Sequence, residues 1–233
     1  MTSILTRLLN YRSLREARRR RTIGKHMVWD SQPLFAATRA RHGAIPGIPD
    51  LRLYVLQSCI RAVANVPGDI AECGTRFGKS ALYMLEALDT PRRMFLFDSF
   101  EGLSDPTPGK DGPAADPATG TRFFHDTDMA QVAARFQGRD VALMQGWIPE
   151  RFPEVADRRF ALVHIDVDLY QPSLDSLAFF YERTSPFGMI VCDDYGSGFY
   201  PGARQAMDEF FADKPEGIVE LPQGQALVTK RPG

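Results

Sequence analysis

The chain has 233 residues, 44% of them apolar, and a net charge of −1, which is enough apolar side chain for one large α/β domain with appendages. That balance excludes a uniformly basic nucleic-acid binder, and no basic patch with interleaved aromatics follows the N-terminus. No run of 18 apolar residues occurs that could form a membrane span. The charge is nevertheless uneven: residues 1–25 hold eight Arg and Lys against Glu16, so they carry +7 and the remainder carries −8. Residues 1–49 read as a basic helical arm, either solvated or in contact with a second copy of the chain in a homo-oligomer. Cys59, Cys73 and Cys192 have no metal-type spacing, and two of them lie in apolar runs, as buried thiols of a cytoplasmic protein would.

From residue 50 to 233 the pattern is that of an alternating α/β domain. Residues 51–66 carry a helical apolar stripe that stops at Pro67-Gly68, and DIAEC (69–73) follows as a short buried strand. Helical periodicity resumes over 78–88, and RRMFLFD (92–98) is a second apolar strand. Residues 101–127 are rich in Pro, Gly and Asp and too long for an ordinary connection, so 103–127 is expected to be a lid loop with little apolar area of its own. A helix over 128–136 leads to DVALM (140–144). FALVHID (160–166) and GMIVCD (188–193) follow as strands, with helices over 171–183 and 201–213. GIVEL (217–221) and QALVTK (225–230), separated by Pro222-Gln223-Gly224, read as a terminal hairpin. Five strands alternating with helices, plus that hairpin, predict a mostly parallel seven-stranded sheet with an antiparallel edge.

The loop ECGTRFGKS (72–80) leads into a helix as a phosphate-binding loop does, but Gly74 and Gly78 are separated by three residues where the Walker pattern needs four. The dinucleotide pattern fails too, because no glycine stands between them. In an open α/β sheet, ligands sit at the carboxyl ends of the strands, so the polar residues that end each apolar run mark one rim. They are Glu72 and Gly74, Asp98, Gln145-Gly146, Asp166 with Asp168, and Asp193-Asp194. Asp98, 24 residues after Gly74, suits a ribose diol. A glycine loop without phosphate geometry suits the close approach of adenosine with a sulfonium tail, which points to S-adenosylmethionine. The bland alternative for Asp98 is a turn cap before Ser99.

Asp166 and Asp193 lie one strand-helix-strand unit apart, so on neighbouring strands their carboxylates project side by side, and Asp194 joins them. With no basic residue in either motif, three converging carboxylates call for a hard cation such as Mg²⁺.

In that order and spacing, ECGTRFGKS, FDSFEGL, HIDVDLY and CDDYG resemble the macrocin O-methyltransferase family, over roughly residues 66–210. The resemblance implies a class I methyltransferase sheet, S-adenosylmethionine as methyl donor, a metal ion, and a hydroxyl of a sugar or glycosylated small molecule in natural product biosynthesis as acceptor. It assigns Glu72, Gly74 and Asp98 to the cofactor and Asp166, Asp193 and Asp194 to the metal. The full candidate cofactor set adds Thr75, Gly78, Ser80, Ser99, Gln145, Gly146, Trp147 and Asp166. Leu169 stands where the related catechol and caffeoyl enzymes have a lysine, which weighs against a catechol acceptor. Asp168 is the candidate general base and His125, on the lid, its rival. His164 reads as a core histidine, Lys79 as a solvated lysine at a helix start, and Trp147 and Tyr170 either as stacking platforms or as core.

Overall fold

A computed structural model describes residues 28–232, which fall into two compact units dividing after Arg41. The basic run of residues 1–25, and with it the proposed homo-oligomer contact, lies outside the described residues. In the first unit a 3₁₀ turn, Val28–Ser31, precedes the helix α1, Pro33–His42. Trp29 packs edge-on against Phe35, and Arg39 pairs with Asp30.

The second unit is built on seven strands: β1 Asp69–Cys73, β2 Met94–Asp98, β3 Val141–Gln145, β4 Phe160–Ile165, β5 Thr184–Cys192, β6 Val219–Glu220 and β7 Ala226–Thr229. Their order is β3-β2-β1-β4-β5-β7-β6. The first five are parallel, and β7 and β6 close the sheet antiparallel to β5. Helices α2 Asp50–Ala62, α3 Lys79–Glu86, α4 Met129–Arg135, α5 Tyr170–Tyr181 and α6 Pro201–Phe211 alternate with the strands. β4 lies mid-sheet and is buried along its whole length, which is why its six residues read as a near-continuous apolar run.

The α5 face of the sheet is sealed by aromatic side chains: Phe180 meets Phe97, Phe152 and Phe160 edge-on at centroid separations of 5.8, 5.0 and 5.0 Å. That packing joins the end of β2 to the start of β4 under α5; the opposite, carboxyl ends of β1 and β4, with that of β2, carry the candidate site.

Two boundaries differ from the sequence pattern. β5 begins at Thr184, four residues before the expected strand, and absorbs a register irregularity around Phe187, whose φ is +66°. α2 ends at Ala62 because the carbonyls of Val63, Ala64, Val66 and Gly68 turn onto the guanidinium of Arg92.

The segment 103–127 also holds more apolar contact than its composition suggests. Leu103 and Ala114 are buried with Leu169, and Phe123, Phe124 and Tyr200 pack against them. Asp111 accepts a hydrogen bond from the backbone N–H of Tyr170 at 2.9 Å and so caps α5, while Lys110 lies 3.4 Å from the centre of the Tyr170 ring.

Candidate active site

The backbone ladder continues past the strand ends and lines up their acids. Gly74 N donates to Phe97 O, Asp166 N to Cys73 O, and Asp193 N to Ile165 O, each at 2.8 Å. Gly74 has φ +87°, and a Cβ there would come within 1.8 Å of the Asp166 carbonyl oxygen, so no side chain is possible at this junction of β1 and β4. The result is a cavity of about 300 Å³ at the carboxyl ends of the strands. Gly74, Thr75, Ser80, Asp98, Ser99, Gly146, Trp147 and Asp166 line it, as do Asp168, Asp193 and Asp194.

Other candidates stand outside that lining. Glu72 is wholly buried, with Oε1 2.9 Å from Nδ1 of His164 and Oε2 without a hydrogen-bond partner among the described residues. Gly78 caps α3 against the ring of Phe136. Gln145 is an exposed residue whose carbonyl accepts from Arg151. His125 is exposed, with Nδ1 2.7 Å from the Arg122 carbonyl, which leaves Asp168 as the candidate base inside the cavity. Tyr170 does not reach the cavity either: its hydroxyl bonds Glu209 and its ring carries Lys110, so it fastens the segment 103–127 to α6. Lys79, expected to be solvated, is only 9% exposed and lines the cavity, because Gly47 in the preceding loop packs on its aliphatic stem.

The loop's own amides explain why it is no phosphate cradle. Thr75 N and Arg76 N both donate to Asp98 Oδ2, at 2.8 and 2.7 Å, so a phosphate there would meet a carboxylate. Asp98 Oδ1 accepts from Phe100 N at 2.7 Å, so this residue caps its own turn as well as lining the cavity. The Arg76 guanidinium lies between the rings of Phe77 and Phe124, 4.7 and 4.5 Å from their centres, and bonds Asp126, tying the loop to the segment 103–127.

Asp166, Asp193 and Asp194 each place a carboxylate oxygen within 4.8 Å of the others. Burial and the neighbouring Asp193 and Asp194 raise the Asp166 carboxyl well above the usual range, burial and Asp194 do the same to Asp168, and burial with Asp193 pushes Asp194 up to about 7. Asp193 goes the other way. Burial opposes its ionisation, but the His164 ring 3.5 Å away and the charge of Arg52 hold its carboxyl below the usual range. His164 feels burial first, which favours the neutral ring, yet the carboxylates of Asp193, 3.5 Å from Nε2, and of Glu72, hydrogen-bonded to Nδ1, prevail and raise it to about 9.

Within the motifs His164 is the one basic partner of Asp193, and the fold adds a second through Arg52, which sequence reading missed. It sits 141 residues from Asp193, in an ordinary amphipathic helix. His164, read as a core histidine that hydrogen-bonds a neighbour, does so and bridges two carboxylates.

These shifts set a sign. Groups with raised carboxyls hold protons in the folded state that the unfolded chain gives up near pH 4, so their contribution to stability is complete below that pH and is lost as pH rises through the folded values. His164 acts in the same direction between about 6.5 and 9. In EDTA the melting temperature should therefore fall from pH 5 to pH 8. A flat profile by calorimetry would mean that the carboxyls do not interact as described.

A mostly parallel sheet in the order 3-2-1-4-5-7-6, with a ligand cavity at its carboxyl rim, defines the class I methyltransferase fold. The family model for macrocin-O-methyltransferase (TylF) matches residues 14–219, and the chain belongs to that family.

Among curated relatives, it is 34% identical over 158 residues to an 8-demethyl-8-(2,3-dimethoxy-alpha-L-rhamnosyl)-tetracenomycin-C 4'-O-methyltransferase of Streptomyces olivaceus, covering 62% of this chain and 60% of that one. It is 30% identical over 175 residues to the demethyldecarbamoylnovobiocin O-methyltransferase of Streptomyces niveus, covering 69% and 65%. The chain thus spans less than two thirds of the length of these relatives. Among solved structures, the O-methyltransferase NovP superposes with a TM-score of 0.69 at 26% identity, over 81% of this chain and 83% of that one.

Proposed function

We propose that the protein is an S-adenosylmethionine- and Mg²⁺-dependent O-methyltransferase acting on a hydroxyl of a sugar or glycosylated small molecule. The observation that carries this reading is the convergence of Asp166, Asp193 and Asp194 on the cavity that also receives the Gly74–Ser80 loop and Asp98. The donor set fits a hard divalent cation: it is all carboxylate oxygen, and burial and mutual repulsion keep part of it protonated when no ion is present. The same cavity suits the cofactor, because Gly74 allows close backbone approach and Asp98, Ser99 and Trp147 offer a carboxylate, a hydroxyl and an aromatic face.

When bound, S-adenosylmethionine would supply an electrophilic methyl group and the cation a positive charge that makes the acceptor hydroxyl more acidic. Asp166, Asp193 and Asp194 would hold that ion, and the acceptor would lie beside it. Asp168, whose carboxyl would ionise more readily once a cation offsets the neighbouring acids, would take the hydroxyl proton, leaving the acceptor oxygen free to receive the methyl group. Leu103, Phe124 and Trp147 around the rim exclude water from the reacting atoms. The relative named for a rhamnosyl-tetracenomycin supports an acceptor of this glycosylated class. Among the described residues, no helix is long and apolar enough to cross a membrane, and the three cysteines are free and buried; a cytoplasmic setting is part of the proposal.

The test is release of S-adenosylhomocysteine with Mg²⁺ and a panel of nucleotide sugars, glycosylated polyketides and catechols. Turnover is expected with glycosylated acceptors. Turnover confined to catechols would replace the sugar reading.

A further inference from the structure

We infer that Arg52, in the first turn of α2, and Gln225, at the head of β7, form a clamp that fixes the Asp193 carboxylate in the orientation a divalent ion requires. The inference rests on the metal reading above. Arg52 Nη1 donates to Asp193 Oδ2, and Gln225 Nε2 donates to Asp193 Oδ1 at 2.7 Å. Asp193 and Gln225 are wholly buried and Arg52 is half-buried, so little water competes for the Gln225 contact in particular. Each jaw is itself held. Arg52 Nε donates to the carbonyl of Gln223 at 3.1 Å, and the Gln225 amide lies 3.5 Å from the Arg52 carbonyl. The hairpin turn that carries Gln223 and Gln225 is pinned to the loop after β5 by Gly196 N donating to Gly224 O at 2.7 Å. A Cβ on Gly196 would come within 2.7 Å of Gly224 Cα, so the two segments touch backbone to backbone. The terminal hairpin is therefore part of the site's support as well as a sheet edge.

A guanidinium beside a cation site also repels the cation, so the two effects compete. Five carboxyls line the cavity, Asp98, Asp166, Asp168, Asp193 and Asp194, against Arg52, Arg76 and Lys79 in the same lining and His164 beside Asp193; where the Asp166, Asp193 and Asp194 oxygens converge the acids outnumber Arg52 and His164, so the point stays attractive to a divalent ion. Orientation then decides the sign, and loss of the clamp weakens binding.

The experiment titrates the full chain with Mn²⁺, without cofactor or acceptor, and follows free Mn²⁺ by electron paramagnetic resonance. Arg52→Met should weaken Mn²⁺ binding by about 10- to 100-fold, the usual effect of removing a group that holds a metal ligand in place. Gln225→Leu should shift it in the same direction. Arg52→Lys should recover most of the loss, since its ammonium can reach Asp193 although it cannot also bond the Gln223 carbonyl. Melting temperatures in EDTA identify a variant that fails to fold, and the two remaining variants then carry the test. Folded Arg52→Met or Gln225→Leu protein that binds Mn²⁺ as tightly as the wild type, or more tightly, overturns the clamp and leaves the metal reading standing. A wild type that binds no Mn²⁺ overturns both.

Discussion

Replacing Asp168 with Asn should lower kcat by about 10²- to 10⁴-fold, the range expected when a positioned general base is lost. The substitution suits the purpose because it keeps the shape of the side chain and its backbone. Asp168 has φ +61°, a left-handed conformation that Asn tolerates almost as well as any residue other than glycine, and its N–H donates to Asp194 Oδ2 at 3.1 Å whatever the side chain. An amide in that position cannot take a proton from the acceptor. Binding of Mn²⁺ and of S-adenosylhomocysteine should stay close to wild type, which separates a base from a group that merely shapes the cavity. His125→Ala is the companion measurement: that ring faces solvent and bonds the Arg122 carbonyl, so its removal should leave kcat nearly unchanged. A large loss in His125→Ala with a small one in Asp168→Asn would exchange the two roles.

The second large effect is expected from the ion. EDTA should abolish turnover and Mg²⁺ restore it, because a sugar hydroxyl is a poor nucleophile until a cation stabilises its developing negative charge. Asp194→Asn should cost about 10² or more in rate, comparable to deleting one preorganised electrostatic stabiliser. Asp194 is a better target than Asp193. Substituting Asp193 would leave Arg52 and His164 facing an amide, and a buried charge that loses its partner destabilises the fold on its own account. Asp194 has the opposite surroundings: burial and Asp193 push its carboxyl up to about 7, so at pH 8 the Asn protein in EDTA should melt no lower than wild type, and even higher. Lost activity together with retained or raised metal-free stability is a combination that a purely structural role for the acid does not produce.

The parts of the molecule legible in the sequence are those decided by short-range pattern. β1, β2, β4 and the inner part of β5 are apolar runs ended by a polar residue, because a strand covered on both faces must be apolar along its length and can admit a carboxylate only where it emerges at the rim. That alone brought Asp98, Asp166, Asp193 and Asp194 together on paper.

What escaped depends on long-range contact. Arg52 is one charged residue in an amphipathic helix, and nothing local distinguishes it from the solvated Arg61 side of the same helix. Lys79 looked solvated because its burial comes from Gly47, which lies 32 residues upstream, outside the helix it opens. The Tyr170–Asp111 contact fastens the segment 103–127 across 59 residues of chain, and the small apolar cluster of Leu103, Ala114 and Leu169 is diluted by the Pro, Gly and Asp around it. The role of Glu72 shifted for a related reason: its side chain turns under the rim to His164, a choice made by the neighbouring strand β4.

The most direct measurement is a crystal structure of the protein with S-adenosylhomocysteine and Mn²⁺, collected at the manganese absorption edge. The account predicts one anomalous peak bonded to carboxylate oxygens of Asp166, Asp193 and Asp194, with the nucleoside in the same cavity beside Asp98 and Trp147. Nucleoside bound there with no anomalous peak at the three acids, or manganese bound at another place on the protein, would contradict it.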